Sequence, residues 1–189
     1  MNMKRLLPLI AALVFCSPAF AESTTGQALI AACAHCHGTD GNSSSGQYPS
    51  LARQNKEYIV KQLMDFKAGN RKDIQMSPMV GVLTEDDMQL LANFYSGENL
   101  VQQRGIDEDL AAQGKKIAAE LNCASCHQKN YRGQKETPRM ARQKRVYLVK
   151  QMEDFRDGRR TNDNGIKSEA VKNLTDEQIT ALSHYFAGM

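Results

Sequence analysis

The sequence predicts an all-α protein of two similar domains in tandem, and three observations carry that expectation. Apolar residues recur at helical spacing in several segments, and neither half shows a convincing alternating strand pattern. The chain repeats itself at an offset of 89 to 91 residues. Each repeat holds one Cys-x-x-Cys-His, Cys33 to His37 in the first and Cys123 to His127 in the second, 90 positions apart.

At the N-terminus, Lys4 and Arg5 precede an apolar run from Leu6 to Phe15, and the segment ends Ala19-Phe20-Ala21. A charged start, a short apolar core and an Ala-x-Ala end predict a secretory signal peptide over residues 1–21, removed before Glu22. The run is too short to span a bilayer, and Phe15 is too large for the small-residue signal that would make Cys16 a lipid anchor. With Cys16 lost, the four cysteines left are those of the two motifs, and none remains for a structural disulfide.

The mature chain divides into domains expected at residues 22–100 and 101–189, joined near Gly97 to Gly105. In the first, a helix from Thr25 to Cys36 leads into the motif, and the Gly- and Ser-rich stretch Gly38 to Gly46 follows as a turn-forming loop. A second helix spans Asn55 to Lys67, with Tyr58, Ile59, Leu63 and Phe66 at helical spacing and Gly69 as its stop. A third begins at Thr84, a good N-cap. The second domain repeats the series with helices over Asp107 to Cys126, Lys144 to Arg156 and from Thr175, where Gln178 completes a capping box. The side chains match as well. Tyr58 to Phe66 answers to Tyr147 to Phe155, and Tyr48 to Gln54 answers to Thr137 to Gln143.

On a helical turn, cysteines at i and i+3 and a histidine at i+4 share one face. The thiols can form thioethers with the two vinyl groups of a haem while the imidazole binds the iron from the same side. Each motif therefore reads as the attachment site of one haem c, with Cys33, Cys36, Cys123 and Cys126 holding the porphyrins and His37 and His127 as metal ligands. Zinc or a thiol–disulfide couple would explain the cysteines. Either would leave both histidines and the matched repeat as coincidence, so no zinc is expected. A unit of about 80 residues with few apolar side chains cannot bury a large core alone, and a haem supplies one; folding is expected to depend on attachment.

With both motifs, the Pro-x-Leu/Met-Ala-x-Gln segments, the Tyr-x-x-Lys-Gln-Leu/Met-x-Asp-Phe helices and the C-terminal Tyr-Phe helices in view, the mature chain resembles the diheme cytochromes c of the cytochrome c4 type. The resemblance implies two tandem class I cytochrome c-like domains, each wrapped around one covalently bound haem and related by an approximate twofold axis, with the haems near the domain interface. It also implies a periplasmic electron carrier of a respiratory chain. Such a carrier would pass electrons from a membrane donor, a bc1-type complex, towards a terminal oxidase or reductase, with docking to membrane complexes at the inner-membrane surface. Its partners would be redox proteins.

The family pattern Met-x-x-Met-x-x-x-Leu places the distal ligand of the first iron at Met76, seven residues before Leu83, with Met79 as the near rival. A thioether favours reduced iron and raises the potential, as suits a carrier. The second half breaks the pattern: seven residues before Leu174 stands Lys167, and residues 161–173 hold no methionine. Three readings stay open, namely Lys167 as an amine ligand, a vacant or water-filled position, or another side chain. Amine ligation needs deprotonation, which costs about 4–5 kcal/mol at neutral pH from a reference pKa of about 10.4 unless the site offsets it. Of the other side chains, Met140 and Met152 occupy core slots, His184 reads as a solvent-facing helix residue, and Met189 sits at a terminus prone to disorder. An open or lysine-ligated second haem would also allow a small diheme enzyme or a ligand sensor, but no acid–base pair or substrate pocket is legible, so electron transfer is preferred.

Charge is uneven. Residues 22–100 hold six Lys and Arg against nine Asp and Glu, and residues 101–189 hold sixteen against twelve. A dipolar carrier of this kind orients its encounters with charged partners. No basic run with interleaved aromatics points to nucleic acid. The paired Arg53/Gln54 and Arg142/Gln143 are expected either near the haem propionates or as loop anchors, and Tyr58 and Tyr147 as packed residues with polar partners for their hydroxyls.

Overall fold

The computed structural model describes the backbone of residues 19–189 and the side chains from residue 26 onward. The signal peptide expected over residues 1–21 and Cys16 lie outside the described residues, apart from the backbone of the last three positions of that segment. The first half contains α1 (Ala19–His37), α2 (Lys56–Lys67), α3 (Met76–Gly81) and α4 (Glu85–Gly97); the second contains α5 (Glu108–Glu120), α6 (Ala124–His127), α7 (Arg145–Arg156), α8 (Ile166–Val171) and α9 (Asp176–Gly188). Among the described residues the only extended pairing is an isolated bridge between Gln134 and Thr137. None of their helices is long and apolar enough to cross a membrane.

The ends of these helices follow local chemistry. Thr84 and Thr175 each accept the N–H three residues on, and the side chains of Asp87 and Gln178 accept the threonine N–H in return. A capping box is thus present in both halves, because the shorter carboxylate of Asp87 also reaches the Thr84 N–H, at 2.8 Å. The helix expected over Asp107 to Cys126 is broken. After α5, Asn122 takes a φ of +52°, a left-handed conformation that asparagine tolerates, and the motif sits on its own short turn, α6.

Each half has its own apolar cluster. Ile59, Leu63, Phe66, Val80, Leu83, Met88, Leu91 and Tyr95 join α2, α3 and α4, and the half-buried Leu29, Ile30 and Cys33 bring α1 against them. Ala118, Leu148, Leu174, Ile179, Leu182 and Phe186 do the same for α5, α7 and α9. The crossing of α5 and α9 is close enough that a Cβ on Gly114 would lie 2.2 Å from the Ala181 carbonyl oxygen, a backbone atom that cannot swing away. At Gly26 of α1 the corresponding clash is with the flexible Leu90 side chain, at 2.9 Å. Gly114→Ala is therefore expected to destabilise the haem-loaded protein by roughly 1–3 kcal/mol through overpacking. Gly26→Ala should stay near neutral, because about 1 kcal/mol of helix propensity offsets a small shift of Leu90. Denaturant midpoints of the two variants measure the difference.

Two sequence expectations for the C-terminal helix are corrected. His184 is buried, 6% exposed; its Nδ1 accepts the Asp107 N–H at 2.9 Å, and Arg145 closes the other end of the ring. It faces the N-terminus of α5, a surface invisible to the apolar stripe of α9. Met189 is held in place, its side chain against the second cluster and its carbonyl accepting from Arg142 Nε at 2.7 Å.

Candidate functional site

Each motif brings its first cysteine to one apolar cluster. Cys33 packs against the first and Cys123 against the second. All four motif cysteines are free thiols; Cys33, Cys36 and Cys123 are half-buried and Cys126 is exposed. Burial pushes the Cys33 and Cys123 thiols above their ordinary value, which keeps them protonated and able to add across a vinyl double bond.

The two histidines are set alike. His37 Nδ1 lies 2.9 Å from the Pro49 carbonyl oxygen, and His127 Nδ1 lies 2.9 Å from that of Pro138. A carbonyl only accepts, so the proton is on Nδ1 and the lone pair on Nε2, the form that binds a metal. Burial depresses the basicity of both imidazoles and keeps them neutral; at His127 the Lys167 ammonium adds to this. His35, between the first pair of cysteines, is exposed.

Met76, the expected second ligand of the first iron, opens α3, is partly buried and packs on the cluster against which Cys33 and Leu51 also pack. Its rival Met79 is 50% exposed. Asp73 Oδ1 accepts the N–H groups of Gln75 and Met76 at 2.9 and 3.0 Å and fixes the start of α3. The second half uses the same device: Asp163 Oδ2 accepts from the N–H groups of Lys167 and Ser168 at 2.7 and 2.8 Å. Lys167, the second residue of α8, stands seven residues before Leu174 as Met76, the first of α3, stands before Leu83, although the loop from Arg160 to Lys167 is two residues longer than that from Arg71 to Met76. Its side chain turns inward. The Lys167 Nζ stands 5.2 Å from the Phe155 ring centroid and, among the described residues, has no hydrogen bond or ion pair. Burial pushes this amine below its ordinary pKa, Arg160 and Lys61 add to the shift, and Tyr58 and Asp163 oppose it. Met140 and Met152 pack in the second cluster as core residues.

Between the halves lies a buried polar layer. Of the two expectations for Gln54 and Gln143, the anchoring one describes their contacts: Gln143 bonds to Ser50 and Gln54 to Arg139, each across the interface. Arg53 is exposed. The Tyr58 and Tyr147 hydroxyls do find polar partners, again in the opposite half. Tyr147 accepts from Arg71 at 3.0 Å and Tyr58 from Arg160 at 3.3 Å, while Gln62 and Gln151 accept from both guanidiniums. Arg71 stacks on Phe66 and Arg160 on Phe155, 4.5 and 4.4 Å from the centroids. Burial would raise the Tyr58 hydroxyl, but Arg160, Arg71 and Lys167 outweigh it and bring it down to about 8. Arg139 is also buried, its guanidinium on the Ser50, Ala52 and Ala141 carbonyls, and burial with Arg142 nearby lowers it to about 10. Neither the motifs nor the apolar periods of the helices mark Arg71, Arg139 or Arg160. The signal for Arg71 and Arg160 is the shared five-residue step from Phe66 to Arg71 and from Phe155 to Arg160.

These features fit a covalently held haem at each motif. The thiols are unpaired, the histidine lone pairs are free on Nε2, and the side chains of Arg71 and Arg160 hydrogen bond to neutral oxygens alone, so anionic propionates would be welcome beside them. The Tyr95 hydroxyl is buried near Cys33 without an oxygen or nitrogen partner.

Comparison with known proteins agrees. The Cytochrome c family model matches twice, over residues 23–96 and 111–189. The chain is 34% identical to a cytochrome c4 of Stutzerimonas stutzeri, with 89% of each covered, and 37% identical to a cytochrome c4 of Thiocapsa roseopersicina, with 83% of this chain and 86% of that protein covered. The crystal structure of reduced recombinant cytochrome c4 from Pseudomonas stutzeri superposes with a TM-score of 0.81 at 34% identity, covering 88% of this chain and 97% of the other.

Proposed function

Since the chain belongs to the cytochrome c4 family and carries two covalently bound haem c groups, we propose that it is a periplasmic electron carrier between a membrane donor of bc1 type and a terminal oxidase or reductase. Each haem supplies one-electron chemistry at its iron. Cys33 and Cys36 would hold the first and Cys123 and Cys126 the second, and His37 with Met76, and His127 with Lys167, would bind the two irons. The domains run over residues 22–100 and 101–189 once a signal peptide over residues 1–21 has delivered the chain to the periplasm.

The observation that carries this reading is the Lys167 amine, which lies over the Phe155 ring with no hydrogen bond or ion pair among the described residues, seven residues before Leu174 as Met76 stands before Leu83. With Met76 and Lys167 as the second ligands, neither iron would offer a substrate an open coordination site, which favours a carrier over an enzyme or sensor. Burial and the neighbouring Arg160 supply part of the cost of a neutral amine. An amine stabilises oxidised iron better than a thioether does, so the second haem sits at the lower potential and the first is the acceptor in internal transfer.

The two domains face different partners. The net charge is −3 over residues 22–100 and +4 over residues 101–189, so the basic domain meets an acidic surface. Ile74, Met79 and Val82, exposed around Met76, offer the first domain an apolar contact of the kind that marks interaction sites. Reduction by bc1-containing membranes and reoxidation by oxidase-containing membranes, followed by stopped flow, test the proposal. Both are expected to be fast at low salt, and at least one should slow severalfold as salt is raised beyond 0.1 M, where screening acts over about 10 Å. Rates indifferent to ionic strength count against the docking model, and failure with both membranes counts against the carrier role.

A further inference from the structure

Each proximal histidine is braced from the opposite domain through a single peptide group. The Pro49 carbonyl that accepts the His37 Nδ1 proton at 2.9 Å belongs to the same peptide plane as the Ser50 N–H, which donates to Gln143 Oε1 at 2.7 Å. Gln143 Nε2 donates to the Ser50 carbonyl at 2.9 Å and so grips residue 50 on both sides. The second half mirrors this. The Pro138 carbonyl accepts from His127 Nδ1 at 2.9 Å, the Arg139 N–H donates to Gln54 Oε1 at 2.7 Å, and Gln54 Nε2 donates to the Arg139 carbonyl at 3.1 Å. Ser50, Gln54, Arg139 and Gln143 are 0, 4, 3 and 3% exposed, so water has no access to replace either glutamine.

A peptide whose N–H donates to a good acceptor shifts electron density onto its own carbonyl oxygen. Hydrogen bonds in series strengthen one another in this way by about 10–30% per bond. A stronger acceptor at Pro49 pulls harder on the His37 Nδ1 proton and makes Nε2 a more electron-rich ligand, as the partners of metal-bound histidines do elsewhere. A richer ligand favours oxidised iron. The same chain of effects runs from Gln54 through the 138–139 peptide to His127.

We infer that Gln143 and Gln54 are positioning residues that act crosswise, each tuning the reduction potential of the haem in the other domain through the proline peptide that orients its histidine. This rests on His37 and His127 being the proximal ligands.

Gln143→Leu and Gln54→Leu in the haem-loaded full chain test it, with potentials resolved haem by haem by NMR during redox titration. Gln143→Leu should raise the potential of the first haem, with about a threefold change in its oxidation equilibrium (roughly 28 mV at 59 mV per decade for one electron), and leave the second in place. Gln54→Leu should do the converse. Gln143→Glu keeps an acceptor on the Ser50 N–H and adds charge, which the Arg139 guanidinium on the same Ser50 carbonyl can balance; it should lower the first potential, a reversal of sign that a loosened interface would not produce. The His37 Nδ1 proton should move upfield and exchange faster in Gln143→Leu alone. Equal shifts at both haems, a shift at the haem of the mutated domain only, or no shift in either Leu variant would overturn the inference. Imidazole protons of His37 and His127 that show no paramagnetic shift on oxidation would instead sink the ligand assignment, and the inference with it.

Discussion

Lys167→Met is expected to raise the potential of the second haem by on the order of 0.1–0.2 V, a fraction of the ~0.8 V range that axial ligands command, and to bring the two haems close together. Lysine and methionine are similar in length, and the Lys167 Nζ hydrogen bonds to nothing among the described residues, so the exchange strands no acceptor. The thioether would also sit well against Phe155, over whose ring the ammonium now stands. In the wild type, a redox titration should resolve two one-electron steps, the lower belonging to the second haem; in Lys167→Met they should nearly merge. Lys167→Ala removes the ligand without replacement. The reduced variant should then bind one carbon monoxide per molecule, where the wild type binds none at neutral pH. Two high, nearly equal potentials in the wild type, unmoved by Lys167→Met, would refute amine ligation. Carbon monoxide binding by the wild type would reopen the sensor and enzyme readings.

What could be read before the structure was known was whatever local chemistry or repetition encodes. The two thioether motifs require a fixed spacing. The helices around Tyr58 and Tyr147 carry their apolar period in the residues themselves, and Thr84 and Thr175 announce helix starts through their own side chains. The short helices α3 and α8, with six residues each, are too brief to show a period, yet they carry Met76 and Lys167. The break between α5 and α6 rests on one left-handed asparagine that helical spacing alone does not reveal. The apolar stripe of α9 does not reveal the burial of His184, because that burial depends on Asp107 and Arg145, which lie 77 and 39 residues away in the chain. The contacts of Gln54 and Gln143 span 85 and 93 residues and join domains that sequence patterns treat one at a time. Repetition alone could have marked them, since both glutamines stand five residues after the prolines that hold the histidines.

Serine at Cys123 and Cys126 is expected to cost the second domain its fold while the first remains. The second cluster has nine buried residues, Tyr131 and Phe186 among them with ring centroids 5.0 Å apart, and the residues packed around it, such as Cys123, Met140, Met152 and Val171, are only partly buried. A domain of about 80 residues stands near the lower limit of independent stability; a haem tethered by two thioethers would stay on the unfolded chain but would be packed over only in the native state, so its loss removes that apolar burial from the folding free energy. The buried cations sharpen the effect. Arg160 and Arg139 hydrogen bond to neutral oxygens alone, and without a nearby anion they favour an open chain in which water solvates them. Circular dichroism of the Cys123→Ser/Cys126→Ser protein should therefore show roughly half the wild-type helix, and limited proteolysis should remove the chain beyond about residue 100 while the first haem stays in place. The surviving domain should carry a trace of the loss. With residues 101–189 unfolded, Gln143 no longer grips Ser50, and the potential of the remaining haem should move in the direction set by Gln143→Leu. Full helix content with one cooperative thermal transition in the serine variant would show that side-chain packing suffices for the second domain and would refute the dependence on attachment.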